Sequence, residues 1–196
     1  MNTPRLQIEQ VFDDLFKKFS SQRFLRCEGT AGEIQFYAQT YDPKDQVLVD
    51  KQIPHLKKRL SAAGIETLEI NLFQLCIELL KEEDILQTTL EAESGQSKNE
   101  FLEALLSQLK GETAVIASIE KKVQQGSYHV VFLTGIGAIY PIIRTHTILN
   151  KLQTSVKNIP LVIFFPGTYD NLAFTLFGVL PDKGYNRAFN LNDYKI

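Results

Sequence analysis

Apolar residues recur at three- and four-residue spacing near the start of the chain, at Ile8, Val11, Phe12, Leu15, Phe16 and Phe19. That spacing puts them on one stripe of an amphipathic helix over residues 5–19. Ile34, Phe36 and Ala38 then alternate with Gln35, Tyr37 and Gln39, the period of a strand over residues 34–40. Asp42-Pro43 supplies an N-cap acceptor and a proline at the first helical position. The stripe Val49, Ile53, Leu56, Leu60 follows and stops before Gly64. Pro54 lies inside it, removes a backbone donor, and predicts a kink or a helix shorter than the stripe. Residues 67–71 form a second short strand, expected to run parallel to the first as in a βαβ unit. Leu72, Leu75, Cys76 and Leu79 begin the next helix, a polar break covers residues 90–100, and further helices are expected at 101–109 and 113–123. The runs at 129–134 and 161–165 are continuously apolar and β-branched or aromatic, as strands buried on both faces are. Residues 141–152 between them have the helical period. Beyond residue 170, aromatic residues flank Pro181-Asp182-Lys183-Gly184, which predicts a terminal hairpin turning there.

The pattern describes one α/β domain over residues 1–196. It is three-layered, with a mainly parallel sheet flanked by helices, a helical insertion between the second and third strands and a C-terminal hairpin. Hydrophobic residues make up 44% of the 196 and charged residues 22%, enough for a folded core. A net charge of −2 lacks the cationic excess of duplex-binding proteins, so no direct DNA binding is expected. Cys27 and Cys76 are far apart and unpaired in any metal motif, and the start of the chain is polar rather than a signal peptide. The expected compartment is the cytoplasm. No apolar run approaches the ~20 residues of a membrane span, so no membrane association is expected.

Candidate chemistry centres on Thr134-Gly135-Ile136-Gly137-Ala138-Ile139-Tyr140-Pro141, where a buried strand passes into a helix. That is where α/β folds bind phosphates. Tyr140 stands where a dinucleotide fingerprint needs its third glycine, and no Gly-Lys-Ser or Gly-Lys-Thr exists in the chain. Gly135 and Gly137 therefore serve either a tight turn or an anion- or nucleotide-binding loop. Arg144, expected one turn into the following helix, could clamp an anion or a partner carboxylate. His146 is read as a hydrogen-bonded histidine at the core margin. Asp42 could face a cleft beside the glycine loop, although its capping role accounts for it. No metal site, catalytic set or cofactor site emerges: His55 and His129 have no ligand partners at zinc spacing, and no Gly-x-Ser-x-Gly elbow is present.

These residues together resemble the BrxB family of BREX phage-defence systems. The resemblance spans most of the chain. It rests most specifically on residues 131–141, on Ile143-Arg144-Thr145-His146, and on Phe164-Phe165-Pro166-Gly167-Thr168-Tyr169. Ser21-Gln22-Arg23-Phe24-Leu25, Tyr41-Asp42-Pro43, Leu68-Glu69-Ile70-Asn71-Leu72 and the ending Leu176-Phe177-Gly178 through Tyr185-Asn186-Arg187-Ala188-Phe189 also fit. The chief departure is Pro54. The resemblance implies a non-catalytic component of a bacterial system that methylates host DNA and blocks phage replication. Its implied companions are a methyltransferase, an ATPase and the alkaline-phosphatase-like PglZ protein, with PglZ as the expected direct partner. The aromatic-rich segment 168–189 has the composition of interface hot spots. Tyr169, Tyr185 and Arg187, beside turns expected at Pro166-Gly167 and Lys183-Gly184, are the candidate partner-binding residues, followed by Arg144.

Overall fold

The computed structural model describes residues 3–28, 35–109, 112–182, 184 and 188–195. Its strands are β1 (Phe36–Tyr41), β2 (Thr67–Asn71), β3 (Val130–Thr134), β4 (Leu161–Tyr169), β5 (Phe174–Leu176), β6 (Leu180–Asp182) and β7 (Phe189–Asn190). The main sheet has the order β2-β3-β4-β1-β7, and every neighbouring pair in it is parallel. Side chains alternate across it with period two. Phe36, Ala38, Val131, Leu133, Leu161, Ile163 and Phe165 enter the core on one face. Tyr37, Val130, Phe132, Val162 and Phe164 enter the core on the other. All of β3 is buried, as its unbroken apolar run predicts.

The second face is covered by α1 (Thr3–Ser20), α2 (Gln22–Leu25) and α3 (Gln46–Ala62). The first is covered by α4 (Leu72–Glu82), α7 (Glu112–Gln124), α8 (Ile136–Ile139) and α9 (Thr145–Leu152), with α5 (Leu86–Glu93) and α6 (Lys98–Gln108) alongside. The expected three-layer α/β arrangement and the helical insertion between β2 and β3 are both present.

Several local expectations are corrected. β1 and β2 are parallel but not adjacent, because β3 and β4 lie between them. Asp42 caps a 3-10 turn at Pro43–Asp45, and α3 follows it. That helix runs through Pro54 without shortening, since burial of Val49, Ile53, Leu56 and Leu60 outweighs one lost backbone bond. The break expected over residues 90–100 shrinks to residues 94–97, because Ser97 and Glu100 form a capping box that starts α6 at once. The helix expected from residue 141 begins at Thr145. Tyr140, preceding a proline, is extended at φ −69° and ψ 135° and ends α8.

The largest difference is in β4. Pro166-Gly167 is not a turn: the strand continues through it, leaving β1 at Tyr41↔Pro166 and pairing antiparallel with β5 from Gly167↔Leu176 to Tyr169↔Phe174. The C-terminal hairpin is β5–β6, and it turns at residues 177–179; Pro181 and Asp182, expected in the turn, lie in β6, and Lys183 falls outside the described residues. Phe177 and Gly178 both take positive φ there, 55° and 73°, which suits a tight hairpin turn.

Candidate functional site

At the carboxyl end of β2, Asn71 caps α4, its Oδ1 accepting from the amides of Phe73 at 3.1 Å and Gln74 at 3.2 Å. The glycine loop after β3 packs directly on this cap. Gly135 is left-handed at φ 75°, and a Cβ there would fall 2.6 Å from Asn71 Oδ1. Gly137 is covered from the other side: a Cβ would lie 2.9 Å from two ring carbons of Phe177 and 3.1 Å from Pro166 Cγ. The two glycines therefore permit close approach by Asn71 and Phe177. The adjoining cleft, lined by Ile136, Tyr140, Arg144, Leu180 and Asp182 among others, measures about 20 Å³, the space of a single water.

Phe177 covers the loop yet remains 42% exposed at the hairpin tip, beside Val179 at 72%. Phe73, next to the Asn71 cap, and Tyr140, at the end of α8, are also partly exposed. Of these, Phe177 packs on the glycine loop itself, Tyr140 lines the adjoining cleft, and Phe73 lies in the first turn of the helix that Asn71 caps. Arg144, which also lines that cleft, is exposed and is the N-cap residue of α9 rather than lying a turn inside it. Among the described arginines, Arg5, Arg23, Arg26 and Arg59 each have a carboxylate or carbonyl partner, and Arg144 has none.

Asp182 of β6 locks the hairpin to α9. Its Oδ2 accepts from the His146 amide at 3.1 Å, and its Oδ1 pairs with the His146 ring at Nδ1. It thus caps a helix whose own N-cap side chain makes no cap bond. Gly184 packs so tightly on the imidazole that a Cβ would clash with it. His146 is the hydrogen-bonded core-margin residue expected. Replacing Asp182 with alanine is expected to cost about 1–3 kcal/mol through the lost cap and an unpaired His146 amide. Urea unfolding should register it, with Asp182→Asn retaining more of the stability.

Tyr169 is not an exposed anchor. It is 5% exposed, its hydroxyl donates to the Ala188 carbonyl at 2.9 Å, and its ring stacks on Phe174 with centroids 4.1 Å apart. Its burial follows from the strand continuing through Pro166-Gly167, which puts Tyr169 in a ladder rather than beside a turn. Tyr185 and Arg187 lie outside the described residues. Phe177 and Phe73 were missed by sequence reasoning; the available signal was Gly178, which marks a turn directly after an aromatic residue.

The remaining reactive groups are occupied or subdued. Burial pushes the Cys27 and Cys76 thiols up to about 11, so both are protonated at neutral pH. His129 Nδ1 accepts from the Glu66 amide at 2.9 Å. Asp42 does not adjoin the glycine loop, because β4 separates β1 from β3. Its carboxyl, bonded by the Lys44 side chain and backbone amide, is held below the usual range.

Compared with known proteins, residues 68–191, from β2 to β7, match the model of a family described as "BREX protein BrxB". The chain belongs to the BrxB family. A BrxB protein of Bacillus cereus (strain H3081.97) is 38% identical over 191 residues, 95% of this chain and 98% of the relative. Another, from Escherichia coli O9:H4 (strain HS), is 27% identical over 187 residues, covering 94% of this chain and 91% of the relative. No solved structure matches this chain. BrxB membership makes the chain a component of a BREX system, which supports a role in phage defence. Among the described residues, no helix is long and apolar enough to cross a membrane.

Proposed function

We propose that this BrxB-family chain is a non-catalytic adaptor in its BREX system, binding the alkaline-phosphatase-like PglZ protein through the face around Phe177. The methyltransferase and ATPase would join as parts of a larger assembly. The observation that carries the reading is the contact between Phe177 and Gly137. A loop whose amides could have cradled a phosphate is instead packed by an aromatic ring, and that ring is half-exposed at a hairpin tip. Phe73, Tyr140 and Val179 are further exposed apolar residues, and Arg144, whose side chain has no partner among the described residues, lines the adjoining cleft with Tyr140. Exposed aromatics beside an arginine are the residue types that dominate binding energy in protein interfaces. The packed loop and the small adjoining cleft leave the nucleotide-binding alternative without support.

Phe177→Asn tests this reading, because asparagine tolerates positive φ and leaves the turn intact. It should fold normally and lower affinity for PglZ about thirtyfold or more, the effect of removing a hot-spot side chain. Arg144→Glu should weaken binding as well. The measurement is co-purification and titration with PglZ, with thermal unfolding as the check on folding. Wild-type affinity in both variants would refute the assignment of this face.

A further inference from the structure

β2 is an edge strand of the main sheet, and β3 bonds to one side of it only. The Val130 amide donates to the Glu66 carbonyl, and the parallel register from Thr67↔Val130 to Asn71↔Thr134 turns the main-chain groups of residues 66, 68 and 70 toward β3. The amides and carbonyls of Thr67 and Glu69 therefore point the other way. Among the described residues no strand pairs with them there, and no other backbone bond takes them up. A cleft of about 180 Å³ lies along that side, lined by residues 69–71 of β2, by α4 and by Lys122 of α7, and by no residue of β3. The strand also lacks the usual guards of an open edge. It holds no proline, and its register with β3 runs without a bulge. Its one charged residue, Glu69, is engaged within its own chain, paired with Lys57 Nζ at 3.0 Å and accepting from Thr134 Oγ1 at 3.3 Å. Unspent amides and carbonyls at strand spacing fit another extended backbone.

The sequence of β2 is complementary to itself in one register. A two-fold antiparallel pair centred on Glu69 would set two carboxylates directly opposite each other, which is unfavourable. Centred on Ile70, it would place Glu69 opposite Asn71, where the chain turns into α4. Centred on Thr67, it would place Glu69 opposite Ile65, outside the strand. Centring on Leu68 avoids all three. Thr67 of each copy then forms a hydrogen-bonded pair with Glu69 of the other, so that every outward amide and carbonyl of these two residues is used. The two Leu68 side chains meet in the closer, non-hydrogen-bonded pair between them. Leu68 is only partly buried against the core on its face of the sheet, and this contact would complete its burial. We propose that two copies of this chain associate by antiparallel pairing of their β2 strands about Leu68, joining their sheets into one.

Sedimentation equilibrium of the full-length chain should show a reversible dimer with a dissociation constant on the order of 0.1 mM or tighter, as suits a contact at the small end of the range for interfaces. Thr67→Pro removes an outward amide at the first residue of an edge strand, where proline is tolerated, and should weaken the dimer about tenfold or more. Thr67→Val keeps that amide, loses only a buried hydroxyl that has no partner, and should dimerise as the parent does. Thermal unfolding checks that both variants fold. Leu68→Cys tests the register without relying on proline. The non-hydrogen-bonded pair brings the two Cα atoms to about 4.5 Å, within disulfide range, so oxidised glutathione should convert most of this variant to a covalent dimer. The parent should stay uncross-linked, because Cys27 and Cys76 are buried. A parent chain that is wholly monomeric at about 0.5 mM would overturn the proposal. So would a dimer unaffected by a folded Thr67→Pro variant, or a Leu68→Cys variant that does not cross-link. The residues involved differ from those assigned to PglZ binding, so failure here leaves the Phe177 reading standing.

Discussion

Gly167→Ala is expected to destabilise the protein by about 3 kcal/mol or more, combining backbone strain with a clash that side-chain movement cannot relieve. Gly167 has φ 152°, a conformation that residues with a Cβ rarely adopt. An added Cβ would run into the Thr175 carbonyl across the antiparallel ladder, and would also lie 2.9 Å from a Phe165 ring carbon and 3.1 Å from the Phe177 amide. Two of these neighbours are backbone atoms, held by pairing between β4 and β5. The chain must therefore open the ladder or distort the strand. At this size, such a loss lowers the midpoint of thermal unfolding by roughly 10 °C. Urea unfolding would measure the stability, and titration with PglZ would follow the consequence for Phe177, whose amide donates to the Pro166 carbonyl at 2.8 Å. A wild-type unfolding midpoint would show that this close approach is not a constraint.

Phe24→Ala is expected to cost about 3–5 kcal/mol, the range for deleting a buried aromatic side chain. Phe24 is fully buried. Its ring meets Phe19 of α1 at 4.8 Å, Tyr37 of β1 at 4.7 Å and Tyr194 near the end of the chain at 5.8 Å between centroids. One side chain thus joins the first helix, the sheet and the last segment, and such aromatic pairs contribute beyond their buried area. Removing it leaves a cavity that rings fixed on three elements cannot collapse to fill. Urea unfolding with near-ultraviolet circular dichroism would measure the loss. Val47→Ala, at a solvent-exposed position of α3, should stay within about 0.5 kcal/mol of the parent. A comparable effect at both positions would refute the account.

What the sequence revealed, and what it concealed, follows from the range of the forces involved. β3 and the start of β4 were legible because strands covered on both faces need unbroken apolar runs, and Val130 to Leu133 and Leu161 to Phe165 are such runs. α1 and α3 were legible from their stripes. The order of strands was not, because parallel neighbours distant in the chain leave no local mark. Pro166-Gly167 has the chemistry of a turn, and only pairing with β5 makes it the place where a strand changes partners. Phe177 escaped notice because an aromatic residue at positive φ contradicts turn propensity and is held there by its packing against Gly137. Arg144 was identified by residue type, whereas its place at the start of α9 depends on Pro141 ending the preceding helix.

The position of β1 between β4 and β7 also bears on the order of events during synthesis. Phe36 pairs with Leu161, a separation of 161 − 36 = 125 residues. At the usual pace of translation, roughly 5–20 residues per second, β4 is made about 6–25 s after β1. Throughout that interval the nascent chain carries α1 and β1, soon joined by α3, with neither strand that will flank β1. Their apolar faces, including Phe12, Phe19, Phe24 and Tyr37, cannot close over the sheet until its centre exists. Folding of the isolated chain should accordingly be slow for its size, since such distant pairings must form before the core on that face is sealed.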